Sequence, residues 1–289
     1  MKKTVIILVL VLVGVSATLA LVSSNDEYAA ERILYHAMKT NSKILKNPDV
    51  APPGMLASVE ADLKKILTRY PKTGVIKMTH FTLAEFYLAN KKFDKAISLL
   101  NEIIGRYKND VLMISRAQFL KGYAYEAQDK WPAALKEYTI LKDKYSFTTL
   151  GLQMPLYIGK HYMTKGMKEK AANAYEEAAS FYRKIEARNK GKRLGYAAAA
   201  MLMQAYMNLG RFEQAGMLLE RTIDNYPFPA ALQELLPMAE IIFAKALRQP
   251  RKAAEVFRKI KDKFKDPKVR QMLENRIKTF EKENLTKVR

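Results

Sequence analysis

The residues that could do chemistry in this chain are few and scattered. Among 289 residues the histidines are His36, His80 and His161, and there is no cysteine. Zinc and its relatives are held by nitrogen or thiolate donors at short spacing, as in a His-Glu-x-x-His turn or a His-x-His pair, and neither occurs here. The histidines are therefore expected to be ordinary helix residues. Without cysteine there are no disulfides, no thiolate metal sites, no cysteine nucleophile and no lipid anchor on sulfur. Gly159-Lys160 has the ending of a phosphate-binding loop, but His161 stands where a Mg²⁺-binding Ser or Thr belongs, and Gly151 is too far back. No Gly-x-Ser-x-Gly elbow is present. Glu102 and the pair Glu176-Glu177 lie among lysines on helical stretches, where a solvated face accounts for them. Catalysis, a metal, a cofactor and a small-molecule substrate are all left without candidates.

The elements that would carry any function are organised around one repeated unit. In AEFYLANKKFDKAISLLNEIIGRY, from Ala84 to Tyr107, apolar residues fall at Leu83, Ala84 and Tyr87 and again at Ala96, Leu99, Leu100 and Ile103. Both are helical stripes, interrupted by Asn90, Lys91 and Lys92. Two short helices folded back on each other explain the pattern. Alanine or glycine is then needed where the backbones cross, since a larger side chain would overpack the crossing. The skeleton returns 38 residues later at Gly122, Tyr125, Trp131, Ala134, Tyr138 and Tyr145. A third copy has Gly159, Tyr162, Ala171 and Tyr175, a fourth Tyr206, Phe212, Ala215, Leu219 and Pro227, and a weaker fifth Ala244, Ala253 and Phe257. The fourth is displaced by 44 from the third, which predicts a longer second helix or loop there. Val59, Leu63, Ile66 and Tyr70-Pro71 read as the second helix of a still earlier unit.

This pattern resembles the tetratricopeptide repeat, carried by LAEFYLANKKFDKAISLL, KGYAYEAQDKWPAALKEY, IGKHYMTKGMKEKAANAY and MQAYMNLGRFEQAGMLLERTIDNYP. The period departs from the family's usual length of about 34 residues, which points to longer helices. The resemblance implies an all-α, right-handed superhelical solenoid of antiparallel helix pairs, in which the first helix of each unit lines an inner groove. With the exported amino terminus described next, the chain is similar to the bacterial envelope branch, that of outer-membrane assembly and cell-division coordinator proteins.

Lys2 and Lys3 precede an uncharged run over 4–22, TVIILVLVLVGVSATLALV, and Asp26 and Glu27 follow it. As a helix the run would rise roughly 28 Å, close to the thickness of a bilayer's hydrocarbon. Basic residues before it and acids after it place the remainder outside the cytoplasmic membrane. Small residues at 15–20 also suit a signal peptidase, so 1–24 is either a retained anchor or a cleaved signal, and the expected location is the periplasmic side. Asn25 is positioned to cap a first helix ending near Lys46. A loop is expected over 47–54, with three prolines and a glycine, and a second break over 188–195. The repeat array then occupies 25–265. A capping helix follows over 266–289, with Val269, Leu273, Ile277 and Phe280 on one face.

The formal net charge is +21. Residues 245–289 hold 16 basic and 6 acidic residues, and 183–193 hold six and one. This concentrates a basic surface on Arg183, Lys184, Arg188, Lys190, Lys192 and Arg193, and on Lys259, Lys261, Lys263 and Lys265. Such a surface suits an anionic membrane or polyanion, or simply keeps a long array soluble. Export and the lack of a recognition motif argue against nucleic acid.

Carried over from the resemblance, the groove would be lined by Phe81 and Glu85 in the first full copy and by Arg116, Tyr123 and Glu126 in the second. The third would add Lys160 and Met163, and the fourth Gln204 and Asn208. Arg, Tyr, Phe and Met are enriched at interface centres. Equivalent positions vary from Glu85 to Tyr123 to Lys160 to Gln204, which argues against the repeated clamp on a terminal carboxylate that some members use. The reading is a non-catalytic interaction scaffold for other proteins in the cell envelope, within an assembly complex. The alternative is an accessory module that holds an anionic surface through its basic carboxyl-terminal third.

Overall fold

In the computed structural model, residues 25–46, 52–226 and 229–286 are described. The expected leader, 1–24, lies outside them. Among the described residues every regular element is helical, and no helix is long and apolar enough to cross a membrane. Helix α1 spans Asp26–Lys46, α2 Pro53–Arg69, α3 Ile76–Ala89, α4 Phe93–Arg106, α5 Val111–Glu126 and α6 Trp131–Lys144. They are followed by α7 Thr149–Thr164, α8 Lys168–Arg188, α9 Arg193–Asn208 and α10 Phe212–Asn225. The series closes with α11 Pro229–Ala239, which continues as a π-helical segment Glu240–Ala246, then α12 Pro250–Lys261 and α13 Pro267–Thr286. Successive helices pack as pairs, and the described residues divide into two compact units, one ending at Glu137 and the other beginning at Tyr138.

The helix ends follow local chemistry. Asn25 caps α1, its Oδ1 accepting from the Glu27 N–H at 2.9 Å, and Asp110 and Thr148 cap α5 and α7 in the same way. Of the loop expected over 47–54, residues 47–51 lie outside the described residues, and the break expected over 188–195 is shorter than its glycine content suggests. Helix α2 already begins at Pro53, because proline in the first turn has no N–H to leave unpaired. Helix α9 begins at Arg193, so Gly195 is helical, and a Cβ there would strike the carbonyl of Asn189.

The repeat register is visible in the core. Ala96, Ala134, Ala171, Ala215 and Ala253 are each 0 % exposed. Gly159 is buried against the Tyr175 ring so closely that a Cβ could not be accommodated. The first unit's core gathers Leu34, Leu63, Ile66, Phe86, Leu100 and Ile103, and the second's Tyr182, Leu202, Leu219, Phe257 and Phe280. In α13, Leu273, Ile277 and Phe280 are buried on one face.

Within each pair the turn is also repeated. Lys91, Asp129, Gly166, Gly210 and Arg248 all have φ between 54° and 72°, and all fall in the same register. Next to them a closing bond runs back across the turn, from Lys92 N to the Tyr87 carbonyl, Lys130 to Tyr125, Met167 to Tyr162 and Arg211 to Tyr206. This is the helix-ending motif that satisfies a carbonyl otherwise left open. In the last pair the bond runs from Gln249 N to Phe243, six residues back instead of five. The π-helical segment has absorbed one extra residue. Phe243, 4 % exposed, therefore takes the core place that the sequence spacing assigns to Ala244.

The longer spacing between third and fourth copies resolves into helix. Helix α8 has 21 residues where α4, α6 and α10 have 14 each.

Candidate functional site

In the first unit the outward faces of α3 and α5 carry the expected groove residues. The Arg116 guanidinium lies 4.3 Å from the centroid of the Phe81 ring and pairs with Glu85 at 2.5 Å. Phe81 itself is 4 % exposed, so it is the floor of this face and not a contact. Burial of an aromatic beneath a cation–π partner is the reason. Tyr123 is 46 % exposed and Glu126 half-buried. In the second unit Lys160 is exposed, Met163 is 44 % exposed, and Gln204 donates from Nε2 to Oδ1 of exposed Asn208 at 3.3 Å. Each unit thus presents its own mixed polar and apolar strip on first helices, over a core of fixed small and aromatic residues.

The basic surface separates into two kinds of cation. Lys184, Arg188, Lys190, Lys192, Arg193, Lys263 and Lys265 are exposed and make no ion pair among the described residues. Lys259 and Lys261 do not belong with them. They pair with Asp224 at 2.7 Å and Glu274 at 2.6 Å, ion pairs formed when α12 docks beside α10 and α13. Arg183, also exposed, donates to the Tyr206 hydroxyl at 3.0 Å.

A second candidate surface lies on α2, α3 and α4, away from the Glu85 strip, and nothing in the local sequence pattern points to it. Glu60 of α2 accepts from Lys92 at 2.8 Å, Lys64 at 2.9 Å, the Tyr87 hydroxyl at 3.1 Å and Lys95 at 3.2 Å. Lys92 and then Lys64 and Lys95, together with that hydroxyl, hold its carboxyl far below the usual carboxylate range against the opposing effect of burial. Lys64 stands one turn along the same helix, but Tyr87, Lys92 and Lys95 lie about thirty residues away in the chain, too far for any short motif, and only the stacking of α2 against the α3–α4 pair brings them to Glu60. Beside this cluster opens a cleft of about 750 Å³, whose lining includes Leu67, Leu83, Leu99, Asp94, Ser98 and Glu102.

His80 closes one end of the cleft. It is buried, its Nδ1 lies 2.9 Å from the Ile76 carbonyl, the Tyr107 ring stands edge-on to it, and Nε2 is 4.0 Å from Glu102. Burial lowers its pKa below the ordinary histidine value, so the neutral ring donates from Nδ1. A helix residue satisfied by its own backbone accounts for it. Among the described residues no group of three His, Asp or Glu side chains could hold a metal ion.

The tetratricopeptide repeat model matches residues 79–110 and 198–228, which take in most of α3 with all of α4, and most of α9 with all of α10. No curated protein matches the chain in sequence. Among solved structures, a putative kinesin light chain with tetratricopeptide-like repeats from Podosopora anserina is 18 % identical. It covers 64 % of this chain and 93 % of its own, with a TM-score of 0.39. A tetratricopeptide repeat protein from Parabacteroides merdae is 11 % identical over 86 % of this chain and 98 % of its own, with a TM-score of 0.31. Yeast Tom70 is 11 % identical over 90 % of this chain and 61 % of its own, with a TM-score of 0.42. Repeats of this kind typically form non-catalytic scaffolds and generally bind other proteins. With the repeat model matched at two helix pairs and the same register buried in the others, the chain is a tetratricopeptide-like helical repeat protein.

Proposed function

We propose that the protein is a non-catalytic scaffold that binds a segment of a partner protein along the exposed strips of its first helices, on the outer side of a bacterial cytoplasmic membrane. The observation that carries this reading is constancy beneath variation. Five alanines in one register are fully buried, while the outward positions above them run from Glu85 to Tyr123 to Lys160 to Gln204. A rigid support with chemically distinct faces offers anchors to a partner while losing little ordering entropy of its own. The apolar run over 4–22, with lysines before it and acids after it, supports export and either tethering or release.

The test is a crosslinking pull-down from envelope fractions with the parent chain and with Tyr123→Asp and Met163→Asp, substitutions at exposed positions. Proteins captured by the parent should be lost from one variant or both, with melting unchanged. An identical set from all three would overturn the use of these strips. Mass spectrometry of the mature amino terminus decides between anchor and cleaved signal.

A second reading rests on the exposed, unpaired cations around the α8–α9 turn and after α12, which suit an anionic membrane or polyanion. Ionic strength separates the two readings. A contact made by those cations weakens steeply between low and physiological salt, and one made by the first-helix strips weakens little.

A further inference from the structure

We propose that the cleft between α2 and α4 is a docking site for a short protein segment that presents an aliphatic side chain next to a carboxylate. The proposal rests on the scaffold reading only in taking its occupant to be a protein; the surface is a different one from the first-helix strips.

Shape supplies the aliphatic half. The cleft holds about 750 Å³, and Leu67, Leu83 and Leu99 give it an apolar floor that a hydrocarbon side chain would cover. Charge supplies the other half. Glu60 is a single carboxylate within 3.2 Å of three ammonium groups, so it leaves an excess of positive charge on one wall. Each ammonium has three N–H donors, and Glu60 engages one from each. Lys64 and Lys95, both exposed, also line the cleft and keep donors for a second carboxylate. The cluster is braced, since Lys92 lies over the Phe86 ring and Lys95 over the Tyr87 ring, each at 5.7 Å.

The remaining walls select the class of partner. Asp94 and Glu102 line the same cleft, so a phosphate-dense membrane or polyanion would meet two like charges on entering. A segment with one carboxylate at the lysine end keeps it about two helical turns from Glu102, which is paired with Arg106, and sets it against two ammonium groups, Lys64 and Lys95, with only Asp94 as a like charge nearby. Along α4, Lys95 and Arg106 are separated by about 16 Å at 1.5 Å per residue, the span of about three helical turns. The occupant is therefore a short segment and not a folded domain.

The experiment uses the full-length chain in detergent and an equimolar pool of fluorescein-labelled, carboxyl-amidated octapeptides. Each peptide carries two leucines and one glutamate at varied spacing in an alanine background. A matched pool carries glutamine instead. Fluorescence anisotropy should show the glutamate pool binding at least tenfold more tightly than the glutamine pool. Ser98→Trp, which fills the cleft from an exposed position outside the Glu60 cluster, should remove binding with melting unchanged, and Lys95→Gln should weaken it several-fold. Equal binding of the two pools, or binding indifferent to both substitutions, overturns the proposal. Phosphatidylglycerol vesicles whose binding Ser98→Trp abolishes, with no peptide preference, overturn it in favour of a lipid headgroup. If the cleft fails while Tyr123→Asp still strips partners from the pull-down, the scaffold reading stands alone. If the cleft binds while the pull-down is unchanged, only the strips fall.

Discussion

The helix pair α3–α4 and the pair formed by α11, its π-helical end and α12 solve one packing problem with different numbers of residues. In the first, the Tyr87 carbonyl is closed by an N–H five residues on, and in the last, the Phe243 carbonyl by one six residues on. What stays constant is the place of the aromatic. Phe243 packs so tightly on Gly216 that a Cβ there would come within 2.8 Å of its ring. The hydrogen-bond ladder has yielded instead. In a densely packed interior the side-chain fit outranks helical regularity, because a turn of π-helix costs less than a misplaced ring.

The largest test of this contrast is a pair of deletions. Removing Leu88 from α3 turns the preceding helix by about 100° against its closing turn and should cost more than about 4 kcal/mol. Removing Ala244 should restore the five-residue closure and change stability by under about 1 kcal/mol. Urea denaturation measures both, and equal losses would break the comparison. Next in size, Ala96→Phe, Ala134→Phe and Ala253→Phe should each cost about 3 kcal/mol by overpacking, the same in regular and irregular pairs. A variant that melts like the parent would show its site is not a crossing.

Smaller effects belong to the turns. Gly210→Ala should destabilise by about 1 kcal/mol, because its φ of 72° is unfavourable for any residue with a Cβ. At Lys91 and Arg248, with φ of 56° and 54°, glycine should instead stabilise by about 1 kcal/mol. The smallest effect is confined to the first pair. His80 titrates below 6.5 in the folded protein because burial disfavours its charged form. As pH falls through 6.5 the unfolded chain takes up the proton first. Stability is thus full above that value and is lost as pH falls toward the folded pKa. Amide protection factors in α3, which divide out the acid-slowed intrinsic rate, should fall as pH drops over that range in the parent and less in His80→Gln, with the π-helical segment unaffected.

Much of this architecture was legible in the chain because alanine and aromatic positions at crossings are chemically constrained and recur at fixed spacing. The buried alanines stand where their periodicity places them. The assignment of Ala244 failed by one residue, since a π-turn leaves no compositional mark. Among site residues, Phe81 departs from its expected groove role because a side chain on the outward face can still be roofed by a neighbour, here Arg116 from α5. Sequence alone places Lys259 and Lys261 among the surface charges, because their partners, Asp224 and Glu274, lie on other helices. The Glu60 cluster is illegible for the same reason: apart from Lys64, one turn along α2, its members meet only through tertiary stacking.

Helix α8 carries one more implication. It exceeds its counterparts by seven residues, and seven residues of α-helix return the side-chain azimuth to within about 20° of where it began. An insertion of that size lengthens the spacing to the next hairpin yet hands it on facing nearly the same way. Growth of such a chain is therefore quantised: additions of seven pass almost unnoticed by their neighbours, whereas four or five would swing the following hairpin off its seat.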